Sequence, residues 1–159
     1  MDSMVEIYLN RANNEIMAAE SLKRLSEEQR DKENFRLPSD TTFYSSVISH
    51  SYYAIFYSAK ALLLTKKIKT DSPDVHRKTI VEFKEKFVDT GILDVSLLNI
   101  YNSLMVRADE LLEIFKGEKR KRGHFTYETI PQANKEPASE SLKNSKIFVS
   151  NIIKIIKKK

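Results

Sequence analysis

The chain has 159 residues and a mass of 18.4 kDa, the size of one domain, and 41% hydrophobic residues suffice for one packed core without staples. With 0 Cys there is no disulfide, thiolate metal site or cysteine nucleophile, and 3 Gly with 4 Pro are too few for a turn-rich β sandwich or barrel. Lys and Arg number 27 against 22 Asp and Glu, a net charge of +5 that admits an acidic or nucleic-acid partner without requiring one.

The opening Met1-Asp2-Ser3-Met4-Val5-Glu6 carries acids and no cationic stretch. No apolar run approaches the ~18 residues of a spanning helix. The expectation is no signal peptide, no membrane association and a cytoplasmic protein, with which the lack of Cys agrees.

A first helix is predicted over 5–30. Val5, Leu9, Ala12, Ile16, Ala19, Leu22 and Leu25 recur in steps of three and four, which places them on one face. The pattern dies in Asp31-Lys32-Glu33-Asn34, and Pro38 marks a break. The second helix is predicted over 40–66, with Ser39 or Asp40 as N-cap. Ile48, Tyr52, Ile55, Ala59 and Leu62 form one stripe, while Val47, Ala54, Phe56, Ala61 and Leu63 cover most of the remaining circumference. A helix apolar nearly all round is central, and its excess apolar surface suggests a subunit contact, hence a homodimer.

The third helix, 73–90, has Ser72 as N-cap and Pro73 as its first residue, with His76, Ile80, Phe83 and Phe87 inward and Gly91 as the stop. The fourth, 95–116, shows Leu97, Tyr101, Leu104, Ala108, Leu111 and Phe115. The segment 117–136 lacks helical period, and a loop of that length inside a small domain is often functional. The fifth helix, 137–157, opens at Pro137 and uses Leu142, Ser145, Phe148 or Val149, Ile152 and Ile156. The whole reads as one all-α domain over 1–159, an up-and-down bundle of four or five helices.

Metal and nucleotide-cradle chemistries fail on residue type. His50, His76 and His124 fall on three different elements, without a Glu-x-x-His or His-x-x-x-His pair, and no P-loop or dinucleotide fingerprint exists. No metal or cofactor is expected. His50 reads as a hydrogen-bonded packing residue, and His76 as filling the bundle end and bonding a backbone group. Tyr44, Tyr52, Tyr53 and Tyr57 read as core and subunit contact, and Arg107-Ala108-Asp109 as ion pairing on one face.

The unusual stretch is Lys116-Gly117-Glu118-Lys119-Arg120-Lys121-Arg122-Gly123-His124-Phe125-Thr126-Tyr127. From Lys116 to Arg122 it holds five cations against one anion. Lys119, Arg120, Lys121 and Arg122 suit phosphates, and Phe125 and Tyr127 suit stacking on bases. His124 beside Arg120 and Arg122 is also what metal-free RNA cleavage needs. The imidazole would move the 2′-OH or leaving-group proton, and the guanidiniums would hold the phosphorane-like charge. The plain alternative is a solvated charged loop.

Ser51-Tyr52-Tyr53-Ala54-Ile55-Phe56-Tyr57-Ser58-Ala59-Lys60-Ala61-Leu62 resembles the second-helix pattern of the HEPN domain family. Tyr8-Leu9-Asn10-Arg11-Ala12 resembles its first helix. His76, Phe83 and Phe87-Val88-Asp89-Thr90-Gly91 resemble a subgroup of small single-domain prokaryotic members. The resemblance implies a helical homodimer encoded beside a minimal nucleotidyltransferase as a toxin–antitoxin or regulatory pair. It also implies metal-independent RNase activity where Arg precedes His by four to six intervening residues. Here Arg120 leaves three residues before His124, and Lys119 has the spacing with a point charge in place of the planar fork. The expected role is therefore RNA or nucleotide binding as a non-catalytic or weakly catalytic partner, with an endoribonuclease as the alternative.

Overall fold

The computed structural model describes residues 1–112 and 134–158. All regular structure among them is helical, with no strand. The helices are α1 (Ser3–Glu27), α2 (Gln29–Asn34), α3 (Tyr44–Leu64), α4 (Val75–Phe83), which runs into a π-helical turn (Lys84–Val88), α5 (Val95–Leu112) and α6 (Lys135–Lys157).

α3 is the axis of the bundle. Twelve of its 21 residues are buried, and α1, α4, α5 and α6 all pack on it. The predicted stripe of Ile48, Tyr52, Ile55, Ala59 and Leu62 is fully buried. α1 contributes Val5, Leu9, Ala12 and Ala19, and α6 contributes Leu142, Phe148, Val149, Ile152 and Ile156. Where α4, α5 and α6 meet, Phe83, Tyr101 and Phe148 pack ring on ring, with Phe148 5.4 Å from Phe83 and 5.6 Å from Tyr101. Small residues bring the backbones close. Ala12 of α1, Ala54 of α3 and Val149 of α6 form one buried junction.

Several boundaries differ from the periodicity. The predicted 5–30 helix breaks at Glu28, whose backbone is extended (φ −96°, ψ 111°), and a separate α2 follows. Neither Gly nor Pro causes the break; tertiary bonds hold the turn. The Arg24 guanidinium donates to Asp31 at 2.7 Å, and buried Lys32 donates to the Ser39 carbonyl at 2.8 Å. α3 starts at Tyr44, not near Ser39 or Asp40. Its entry is capped from α1, where the Ser26 hydroxyl accepts the Phe43 N–H at 2.7 Å and the Tyr44 hydroxyl donates to Glu27 at 3.2 Å.

α4 starts two residues later than predicted, because Asp74 takes a left-handed backbone (φ +57°) that cannot continue a helix and serves as the N-cap; the Ser72–Pro73 peptide bond before it is cis. Asp tolerates that left-handed backbone better than most residues. The π-helical turn closes with the Asp89 N–H on the Lys84 carbonyl. The element ends at Val88 with Asp89 as C-cap, and Gly91, predicted as the residue just past the helix end, lies two residues beyond that cap at φ +76° with its N–H on the Val88 carbonyl. α5 is capped by Asp94, whose carboxylate accepts the Ser96 N–H at 2.8 Å, a bond that holds its pKa below the usual value. α6 begins at Lys135, so Pro137 lies inside the first turn, where its missing N–H has no helical partner to lose.

Candidate functional site

Two helix faces meet along one side of the bundle. α1 and α3 are antiparallel neighbours, so Tyr8, Arg11 and Glu15 face Lys60, Tyr57, Tyr53 and His50. All of these are half-buried except Arg11, which is exposed. The result is a seam of aromatic rings with polar tips.

Tyr8 and Tyr57 stack, with centroids 6.1 Å apart and planes 18° from parallel. Tyr57 stacks in turn on Tyr53 at 6.0 Å. Each of the first two rings carries a cation. The Arg11 guanidinium lies 4.2 Å from the Tyr57 centroid and donates to its hydroxyl at 2.7 Å. The Lys60 ammonium lies 5.1 Å from the Tyr8 centroid and donates to the Thr70 carbonyl at 3.0 Å. Further along, His50 Nδ1 is 2.5 Å from a Glu15 carboxylate oxygen, a bridge across the two helices.

Beside the seam, His76 of α4 packs on Phe56 at 4.5 Å, and its Nδ1 bonds the Tyr52 hydroxyl at 2.6 Å. The partner is a side chain, not the backbone group expected. Burial, and then the Lys60 charge, hold the His76 pKa below its usual value. Folding therefore favours the neutral ring. The contribution is complete above the unfolded value near 6.5 and is lost as the pH falls through the lower folded value. Urea midpoints should drop more steeply between about pH 7 and 5 for wild type than for His76→Gln. Parallel curves would remove His76 from the pH dependence.

A cavity of about 370 Å³ opens where the seam reaches the ends of α1 and α3. Tyr8, Lys60, Leu64, Ile68, Lys69 and Thr70 line it, together with Asp2, Met4 and Asp71. Its size lies at the small end of ligand pockets. Among the described residues no three His, Cys, Asp or Glu side chains converge as a cation site.

The residues selected from sequence fall elsewhere. Lys119, Arg120, Lys121, Arg122, His124, Phe125 and Tyr127 lie outside the described residues. Of the tyrosines read as core or contact, Tyr52 is fully buried, while Tyr44, Tyr53 and Tyr57 are half-buried along α1. Arg107, read as pairing on one face of its helix, finds its partners on another helix. It reaches α6, donating to the Ser141 hydroxyl at 3.0 Å and to Glu140 at 3.3 Å. The seam went unread because its members lie on two separate helices. The same-face spacings 8/11 and 53/57/60 carried the signal once those helices are neighbours.

The family model described as the HEPN domain matches residues 19–156. A Methanocaldococcus jannaschii protein named "Putative toxin MJ0605" is 30% identical over 118 residues, 74% of this chain and 75% of that protein. A second from the same organism, "Putative toxin MJ0142", is 40% identical over 63 residues, 40% of this chain and 41% of that protein. A Thermotoga maritima "UPF0332 protein" is 27% identical over 111 residues, 70% of this chain and 71% of that protein. No solved structure matches the chain significantly.

Proposed function

The chain belongs to the HEPN domain family, and from that premise we propose that it is the HEPN-type member of a toxin–antitoxin-type pair. The observation that carries this reading is the match to a toxin-named relative across three quarters of both chains. In this reading the protein is a homodimer that binds RNA or a nucleotide through Lys119, Arg120, Lys121, Arg122, Phe125 and Tyr127. It serves as the non-catalytic or weakly catalytic partner of a minimal nucleotidyltransferase. No helix among the described residues is long and apolar enough to cross a membrane.

A second reading rests on the Arg120-Lys121-Arg122-Gly123-His124 run. There the protein is a metal-independent endoribonuclease. His124 moves the proton, and Arg120 and Arg122 hold the charge of the transition state.

One experiment separates the two. The pure protein is incubated in EDTA with an RNA and with its all-deoxy counterpart. The first reading expects RNA to be bound but left intact. It also expects a stable complex on co-expression with a minimal nucleotidyltransferase from the adjacent reading frame. The second expects RNA cut to cyclic-phosphate ends, an inert deoxy strand, and loss of cleavage in His124→Ala with the helical spectrum intact. Cleavage that persists in His124→Ala sinks the second. A protein that neither binds RNA nor forms the complex sinks the first.

A further inference from the structure

The cavity at the ends of α1 and α3 has one wall that the fold holds in place. Residues 68–71, in the connection from α3 to α4, form it. Thr70 is buried, with its hydroxyl 2.6 Å from that of Thr79 on α4, and its carbonyl accepts the Lys60 ammonium at 3.0 Å. The next carbonyl, that of Asp71, accepts Lys78 at 3.2 Å. A surface connection fixed by these bonds presents its side chains in a set arrangement, which lowers the cost of ordering them around a ligand.

Opposite charges line this cavity without neutralising one another. Lys60 is half-buried over the Tyr8 and Phe56 rings and has no carboxylate partner among the described residues. After its bond to Thr70 its ammonium keeps two N–H donors. The Asp71 carboxylate, one residue beyond the carbonyl that Lys60 holds, makes no ion pair with a described cation, and neither does Asp2, which spends one oxygen on the Met4 N–H. Between these charges lie the apolar side chains of Leu64 and Ile68. A bare anion would meet the acids, and a bare cation the lysine. A small molecule with both charges on one carbon and an apolar substituent satisfies all three parts, and a volume of about 370 Å³ suits a ligand of that size.

We propose that this cavity binds a free amino acid with an apolar side chain, its carboxylate on Lys60, its ammonium on Asp71 and Asp2, and its side chain against Leu64 and Ile68. The site lies outside the 119–127 segment and does not depend on the toxin–antitoxin reading.

Isothermal titration calorimetry with L-leucine tests this, beside leucinamide, which lacks the carboxylate, and leucic acid, in which a hydroxyl replaces the ammonium. Each analogue should bind the wild type about tenfold more weakly than leucine, the effect of losing one charge-assisted contact. Lys60→Gln should weaken leucine about tenfold and bind leucine and leucinamide alike. Asp2→Asn/Asp71→Asn should weaken leucine about tenfold and bind leucine and leucic acid alike, because the group that tells them apart is gone. Asn caps a helix as well as Asp does, and Asp71 is exposed, so this variant keeps the test valid if Lys60→Gln fails to fold.

A wild type that binds none of leucine, isoleucine, methionine and phenylalanine overturns the site. Equal wild-type affinity for leucine, leucinamide and leucic acid overturns it too, as does a preference for leucine over leucic acid that persists undiminished in Asp2→Asn/Asp71→Asn. RNA binding and complex formation with a nucleotidyltransferase are measured separately, so this site and the toxin–antitoxin reading fail independently.

Discussion

Phe148→Ala is expected to lower the stability of the bundle by about 3–5 kcal/mol, at the upper end for a single truncation. Phe148 is fully buried and is the α6 member of the aromatic cluster with Phe83 and Tyr101. Tyr101 continues the cluster to Tyr52 of α3 at 6.4 Å. Truncation therefore removes ring contacts to α4 and α5 at once and leaves a void that three helices share. Around it Phe83, Tyr101 and Tyr52 are all fully buried, so little can collapse inward. For a chain of this length the loss corresponds to a melting point lower by roughly 10 °C. Thermal unfolding followed by circular dichroism measures it. Phe148→Leu, which keeps much of the volume, should recover about half of the loss. A Phe148→Ala protein within a degree or two of wild type would mean that the cluster does not join these helices.

That cluster was largely legible in the residue order, and the reason is periodicity. Phe83 and Tyr101 stood on the inner face of their predicted helices, Phe148 was one of two alternatives with Val149, and all four are buried. The central place of α3 followed from apolar residues on most of its circumference, a condition that no solvent-exposed helix satisfies. What escaped the sequence was held by partners distant along the chain. The break at Glu28 and the start of α3 at Tyr44 depend on Ser26, Lys32 and Glu27 reaching across the loop. None of these carries a local signature of Gly, Pro or a capping box.

The seam was hidden for the same reason. Arg11 reads as a surface cation and Tyr57 as a core ring until α1 and α3 lie side by side. His76 was placed near the bundle end, but its partner Tyr52 lies 24 residues away and could not be inferred from spacing. The basic 116–122 run needed no fold to be noticed, since charge composition alone singles it out. Composition cannot say what a charged run touches, so its role rests on the binding and cleavage experiments.

Ala54→Leu should couple the packing to the seam. Ala54 is fully buried between Ala12 of α1 and Val149 of α6, with Ile16, Tyr57 and Ile153 packed around them. A fully buried alanine leaves little room for a leucine, so α1 or α6 must move away from α3 or the new side chain must leave its preferred rotamer. Either response costs about 1–3 kcal/mol. For a domain of this size that is a fall in melting point of roughly 5 °C. Movement of α1 carries Arg11 and Tyr8 with it, whereas Tyr57 and Lys60 stay on α3. The 2.7 Å bond from Arg11 to Tyr57 should then lengthen, and the stacked tyrosine pair should open. NMR of the Tyr57 ring protons reports that displacement independently of global stability. Ala18→Leu serves as the control, because Ala18 is on α1 but half-exposed, and a change there should stay within about 0.5 kcal/mol. If Ala54→Leu melts with the wild type and leaves the Tyr57 resonances in place, α1 and α3 are not held together by close contact at Ala12. The position of Arg11 would then depend on its own bond to Tyr57 instead of on the spacing of the two helices.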